Sequence, residues 1–257
     1  MLVVENLQYQ SGPTVILSTV SFRISEGDFV VIVGPNGSGK STLIRCLSGW
    51  YQPSAGRVSF NNSSVPQMSS SLRAESLSFL PQRPHMSESI PIIDVVGAAR
   101  FRFKESHRER RDSAMKLLRS LGLEHLSSRT YDSLSGGEAQ RIAVACLKAQ
   151  DAKLWLLDEP ANHLDPAIQK QMYFDLGQEW QEGRTIVTVT HNINLILEAM
   201  PQCEHKRIQV IGLQEGKILF DIPLSDDTLE RKFSELYGLP AQKVAAFGYE
   251  HLIFGRP

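Results

Sequence analysis

Residues 34–41 read GPNGSGKS, and here residue type and spacing together specify a chemistry. Gly34, Gly39, Lys40 and Ser41 complete the pattern G-x-x-x-x-G-K-[ST]. Backbone amides can close on a polyphosphate only where a Cβ would not collide, the opening that Gly34, Gly37 and Gly39 provide. Pro35, Asn36 and Ser38 complete the loop, and Thr42 follows it, so residues 34–42 form the candidate phosphate site. The next segment, STLIRCLSGW, predicts a helix whose N-terminal N–H groups and dipole favour an anion. Lys40 is then placed for the β- and γ-phosphates, and the Ser41 hydroxyl for Mg²⁺. The bland alternative is a glycine- and serine-rich turn; a strand before it and a helix after it weigh against that.

A second pair of residues fits the same chemistry. The apolar run Leu154–Leu157 ends in Asp158 and Glu159, two acids at the C-terminal end of a buried strand. Beside a phosphate loop, Asp158 suits a Mg²⁺ ligand and Glu159 a general base for the attacking water. Without that loop, two acids entering solvent would be an equal reading. Between these motifs lies LSGGEAQR, where Ser135, Gly136 and Gly137 form a second glycine-rich turn at a helix start. Ser135 and Glu138 also have the S-x-x-E spacing of a capping box, and capping and anion binding use the same amides.

At LSGGEAQR the chain resembles the ABC ATPases, and the motif order extends the resemblance over essentially its whole length. The resemblance implies ATP as nucleotide and a head-to-tail pair, in which Ser135–Glu138 of one subunit meet the γ-phosphate held by the other. It implies that Gln82 senses metal and water, that Asp165 in NHLD arranges the opposite site, and that His191 contacts the γ-phosphate. His163 is read as a packing residue. The family's adenine-stacking aromatic falls on Ser11, so Tyr9 is the candidate substitute, with an ordinary strand tyrosine an even alternative. Glu138 stands where many members have glutamine, and Asn192 where aspartate is frequent.

The elements positioning these residues follow from local patterning. Residues 2–10 and 15–24 read as two strands around a turn at Ser11–Pro13, and Asp28–Val33 as a strand buried on both faces. Further strands are expected at Gly56–Asn61, Ser76–Leu80, Lys153–Leu157 and Thr185–Thr190, with a hairpin at 206–221. Helical spacing marks Ile93–Phe103, Ser106–Leu121, Ala139–Lys148 and Leu164–Trp180. The fold class is α/β, a P-loop NTPase (RecA-like) core with an N-terminal antiparallel β subdomain and an inserted α-helical lobe. Residues 1–257 are expected to form a single ABC ATPase domain: 1–83 and 142–240 the core, 84–141 the lobe, 241–257 a tail.

Apolar residues make up 42% of the 257, charged residues 21%, and the net charge of −1 gives no case for a nucleic-acid partner. Cys46, Cys146 and Cys203 lack metal or disulfide spacing and suit a reducing compartment. Neither a signal peptide nor a membrane span is evident, so the expectation is a cytoplasmic protein attached to the inner face of the cell membrane through a permease. YQPSAGRVSF, IPIIDVVGAAR, NHLD and FSELYGLP resemble importer ATPases for metal chelates, haem, cobalamin or metal ions. The implied partners are a second copy or a paralogous ATPase, polytopic permease subunits and an extracytoplasmic binding protein. The expected permease contact is Arg83–Phe103, although Ile90–Ile93 suit the lobe's own core equally well. RFRFKESHRERR reads as a solvated helix face. A soluble ABC ATPase of iron–sulfur assembly or DNA repair, or an exporter subunit, remains open.

Overall fold

The computed structural model describes residues 1–82, 89–162, 164–200 and 202–256. His163 and the start of the expected permease contact, residues 83–88, lie outside them. The chain begins with β1 (Leu2–Ser11), β2 (Thr14–Ile24), β3 (Phe29–Val33), α1 (Lys40–Leu47), β4 (Ala55–Phe60) and β5 (Ser63–Ser64). It continues through α2 (Ser70–Ser76), β6 (Leu77–Leu80), α3 (Ile92–Ala98), α4 (His107–Ser120) and α5 (Gly136–Gln150). Then come β7 (Leu154–Asp158), α6 (Pro166–Gln181), β8 (Thr185–Val189) and α7 (Asn194–Ala199). The last described elements are β9 (Ile208–Gln214), β10 (Lys217–Pro223), α8 (Leu229–Tyr237), β11 (Ala241–Ala246) and β12 (Tyr249–Phe254).

A six-stranded sheet runs β10-β9-β3-β8-β7-β6, parallel except for β10 at its edge. Alternation along β3 sends Val30 and Ile32 to one face and Phe29, Val31 and Val33 to the other. The first face packs with α1 and the antiparallel sheet β2-β1-β4-β5. The second packs against α5, α6, α7 and α8. A sheet covered on both faces explains why FVVIV is unbrokenly apolar. Parallel order also places the C-terminal ends of β3, β8, β7 and β6 side by side. They are followed by Gly34, His191, Glu159 and Gln82 respectively.

The helical lobe has its own core, in which Ile92, Ile93, Val96, Leu118, Leu126 and Ile142 are buried. Helix α5 joins the two bodies, giving Ile142, Ala145 and Ala149 to the lobe and Ala143, Val144 and Leu147 to the sheet. The expected permease contact therefore divides: Ile92 and Ile93, which open α3, are core, while Phe101, beyond its end, is half exposed. The charged stretch only partly meets its expectation. Its second half enters the surface helix α4, with Ser106 and Glu109 forming the capping box. Arg100 and Arg102 precede the helix, half-buried, Arg100 donating to Glu105 and the Ala149 carbonyl and Arg102 to the Gln150 carbonyl. The short α7 and the β11–β12 hairpin had no sequence signal; the hairpin stands where only a C-terminal tail was expected.

Candidate functional site

An open cleft of about 1090 Å³ sits at the C-terminal edge of the parallel sheet. The phosphate loop lines it from Gly34 to Thr42, with the exception of Ser38. The loop's shape depends on glycine. Gly34 has φ 154°, and a Cβ there would lie 2.1 Å from the Leu213 carbonyl oxygen. Gly39 has φ 102°, and a Cβ would lie 2.8 Å from Leu17 Cδ2. Ser38 shapes the loop from below: its side chain is buried beneath Gly34, and its N–H donates to the Pro35 carbonyl at 3.2 Å.

Lys40 Nζ donates to the carbonyls of Gly34 and Pro35, each at 2.8 Å, so the ammonium is held in the loop's concavity. Burial lowers its pKa, while the carboxylates of Glu159 and Asp158 oppose that shift. Ser41 Oγ donates to Asp158 Oδ1 at 3.0 Å. Asp158 is fully buried, and burial raises its pKa against the Ser41 hydrogen bond and the positive charges of Arg45 and Lys40. Its second oxygen, Oδ2, is buried without a hydrogen-bond partner. An unpartnered carboxylate oxygen beside a serine hydroxyl, at a loop shaped for phosphate, is a donor set suited to Mg²⁺.

Glu159 occupies the cleft's far wall at 8% exposure, with φ 52°, a left-handed conformation costly for a side chain other than glycine. Three side chains converge on it. Gln82 Nε2 donates to Oε2 at 2.5 Å, Asn162 Nδ2 donates to the same oxygen at 2.8 Å, and His191 Nε2 meets Oε1. The expected catalytic trio is thus one hydrogen-bonded cluster. Gln82 points its amide nitrogen at Glu159, so a metal-facing role requires it to turn. Asn162 was not singled out from sequence as a partner of Glu159; its place in NHLD, three residues on, was the available signal.

Other expected residues lie elsewhere. Ser135 and Gly136 are exposed at the start of α5, outside the cleft, and Ser135 and Glu138 form the capping box. Arg129 holds Glu138 at 2.9 Å, and the Ser135 hydrogen bonds lower the Glu138 pKa. Gly137 and Asp165 also lie outside the cleft, with Asp165 exposed at the N-cap of α6. Of the two readings open for Tyr9, its surroundings match the ordinary strand tyrosine. Its ring stacks on Tyr51 at 5.0 Å, with 9° between planes, and does not line the cleft. Tyr51 follows the C-terminal end of α1, about 12 Å of helix from the phosphate loop. Ile16 from β2 lines the cleft on this side, and Tyr237 from α8 lines it without having been anticipated.

A phosphate loop, a buried Mg²⁺-type aspartate and a clamped carboxylate on one parallel sheet define a P-loop nucleotide hydrolase. Residues 17–162, more than half of the chain, match the family model described as ABC transporter. The chain belongs to that family, as one of its ATP-binding, ATP-hydrolysing subunits. It is 31% identical to the hemin import ATP-binding protein HmuV of Pseudomonas entomophila, over all of this chain and 96% of that one. It is also 31% identical to the petrobactin import ATP-binding protein FpuD of Bacillus anthracis (76% of this chain, 73% of that one). Identity to the phosphonates import ATP-binding protein PhnC 2 of Oceanobacillus iheyensis is again 31% (95% and 98%). Among solved structures, a metal-chelate type ABC transporter in an inward-facing conformation is similar with TM-score 0.79 and 27% identity, covering 99% of this chain and 97% of that one. A dimeric ATP-binding cassette in a post-hydrolysis state with ADP and Pi is similar with TM-score 0.76 and 27% identity, covering 88% and 100%.

Proposed function

We propose that this ATPase works as a head-to-tail pair beneath a polytopic permease, powering import of a metal chelate or haem. The observation carrying the paired reading is the separation within one chain: the phosphate loop, Gln82, Glu159 and His191 share a cleft, while Ser135–Gly137 lie outside it, with Ser135 and Gly136 exposed to solvent. A second copy facing the first brings its Ser135–Gly137 amides, and its Asp165, to the open side of the cleft; two-fold symmetry then completes two sites. The dimeric cassette among similar structures supports that arrangement.

In this reading Lys40 and the loop amides bind the β- and γ-phosphates of ATP. Ser41 and Asp158 would hold Mg²⁺, with Gln82 as a further candidate, and the chemistry supplied there would be neutralisation of phosphate charge. Glu159 accepts the proton of the attacking water. Gln82, Asn162 and His191 fix its carboxylate, and His191 also faces the γ-phosphate. Positioning and charge neutralisation supply most of the rate.

No helix of the described residues is long and apolar enough to cross a membrane; in this reading, attachment at the inner face runs through the permease. The groove between core and lobe, about 590 Å³, suits a permease segment: Trp50, Phe79 and Phe101 line it, and Trp50 is 66% exposed. The hemin, petrobactin and metal-chelate relatives support the cargo class, and a substrate-binding protein outside the membrane would complete such an importer. The phosphonate relative makes cargo a separate question from motor. Purification from membranes in mild detergent should yield a complex with a polytopic protein, and disrupting its gene should abolish uptake of haem or ferric chelates. Recovery with soluble proteins alone would instead favour the iron–sulfur or DNA-repair type.

A further inference from the structure

The β11–β12 hairpin touches two elements that end at the cleft. Its first strand is tied to α8: Ala241 N–H donates to Ser234 Oγ at 2.8 Å, and Lys243 N–H to Glu230 Oε1 at 2.6 Å. Its second strand is tied to α7, where Asn194 Nδ2 donates to the Leu252 carbonyl at 3.1 Å and Leu252 N–H donates back to Asn194 Oδ1 at 2.7 Å. Leu252 is buried in the main core, so the hairpin is anchored.

One of the contacted elements, α8, carries a side chain into the site, and the other, α7, follows directly on the turn that carries His191 there. Tyr237, the last residue of α8, packs its ring edge-on to Phe254 of the hairpin at 5.3 Å and lines the cleft beside Pro35 and Asn36. Burial raises the pKa of its hydroxyl, and a hydrogen bond from the Gly34 backbone N–H opposes that rise. The Gly34 peptide is then held from three sides: by Tyr237 at its N–H, by Lys40 at its carbonyl, and by Leu213 against its Cα. On the other side, Asn194 N–H donates to Asn192 Oδ1 at 3.1 Å and Asn192 N–H to Thr190 Oγ1 at 3.1 Å, closing a turn around His191.

We propose that the C-terminal hairpin is a positioning element of the nucleotide site, bracing the phosphate loop through the Tyr237 hydroxyl and the His191 turn through Asn194. The inference rests on reading the cleft as the ATP site. Its two arms reach different steps. Tyr237 pre-shapes the loop that grips ground-state phosphates, so its loss falls on nucleotide affinity. Asn194 fixes the turn whose histidine holds Glu159, so its loss falls on turnover.

The test compares Tyr237→Phe and Asn194→Asp in the full chain, by steady-state ATPase kinetics, nucleotide titration and thermal melting. Tyr237→Phe keeps the ring on Phe254 and removes one hydrogen bond, so KM and Kd for ATP should rise about three- to tenfold, with the effect on KM rather than kcat. Asn194→Asp keeps the acceptor for Leu252 and loses the donor, so kcat should fall several-fold with KM nearly constant. Unchanged KM in Tyr237→Phe would overturn the proposal. So would a parallel loss of both parameters in both variants together with a lower Tm, the mark of a merely structural tail. Lys40→Ala is the reference: if it binds ATP normally, the site reading itself fails; if it does not and Tyr237→Phe is silent, only the hairpin's role fails.

Discussion

Replacing Glu159 by glutamine separates binding from chemistry. The side chain keeps its length, and the surrounding groups can accommodate the amide. Gln82 and Asn162 both donate to Oε2, so an amide oxygen placed there retains both bonds, while the NH₂ turned toward His191 can donate to Nε2 in the tautomer that carries its proton on Nδ1. The lesion is therefore confined to the lost proton acceptor. General-base catalysis contributes about 10²–10⁴-fold, or about 2.7–5.4 kcal/mol of barrier. Glu159→Gln should lower kcat by at least about 10²-fold and leave the Kd for ATP within about threefold of wild type. With hydrolysis blocked and binding intact, the variant should accumulate as an ATP-dependent dimer. Single-turnover hydrolysis, ATP titration and sedimentation in the presence and absence of ATP measure the three quantities. Turnover within tenfold of wild type would refute the base assignment.

Other expectations follow from individual contacts. Asp158→Asn should abolish Mg²⁺-dependent hydrolysis yet raise the Tm of the nucleotide-free chain by a few °C, because it removes a buried charge whose Oδ2 has no partner. Burial raises the folded-state pKa of Asp158, so the cost of ionising it is present above that pKa and vanishes once the carboxyl is protonated in both states. The Tm gap should therefore shrink as pH falls through the carboxylate range, and a gap independent of pH would count against the buried-charge account. Gly34→Ala should melt lower than Gly37→Ala, since its Cβ meets a backbone carbonyl at 2.1 Å whereas nothing lies within 4 Å at Gly37. Strain from positive φ alone costs about 1–2 kcal/mol, and equal melting of the two variants would contradict the close approach.

The readable parts of the site were those in which chemistry constrains adjacent residues. GPNGSGKS announces itself because amide approach requires glycine at set positions, and LWLLDE because a strand buried on both faces must be apolar until it reaches the ligand. The strand and helix sequence was equally local. What remained hidden depends on distant partners. Tyr9 looked available for a base because nothing in β1 reveals that Tyr51 folds back over its ring. Tyr237 is 200 residues from Gly37 and sits in a segment that reads only as a polar helix; its contact with Gly34 exists because α8 packs beneath β9 and the hairpin seats it. The hairpin itself alternates weakly, with Phe247 and Ile253 exposed, so its pattern does not declare a buried face.

The shared site is tested most directly by mixing two inactive variants, Lys40→Ala and Ser135→Arg. In a mixed dimer, one site carries both lesions and the other carries neither. Random pairing of equal amounts makes about half the dimers mixed, each with one intact site, so about a quarter of wild-type ATPase activity should return if the sites fire independently. If each subunit hydrolysed ATP alone, the mixture would be as inactive as its components, and the account of a nucleotide gripped by two copies would be contradicted.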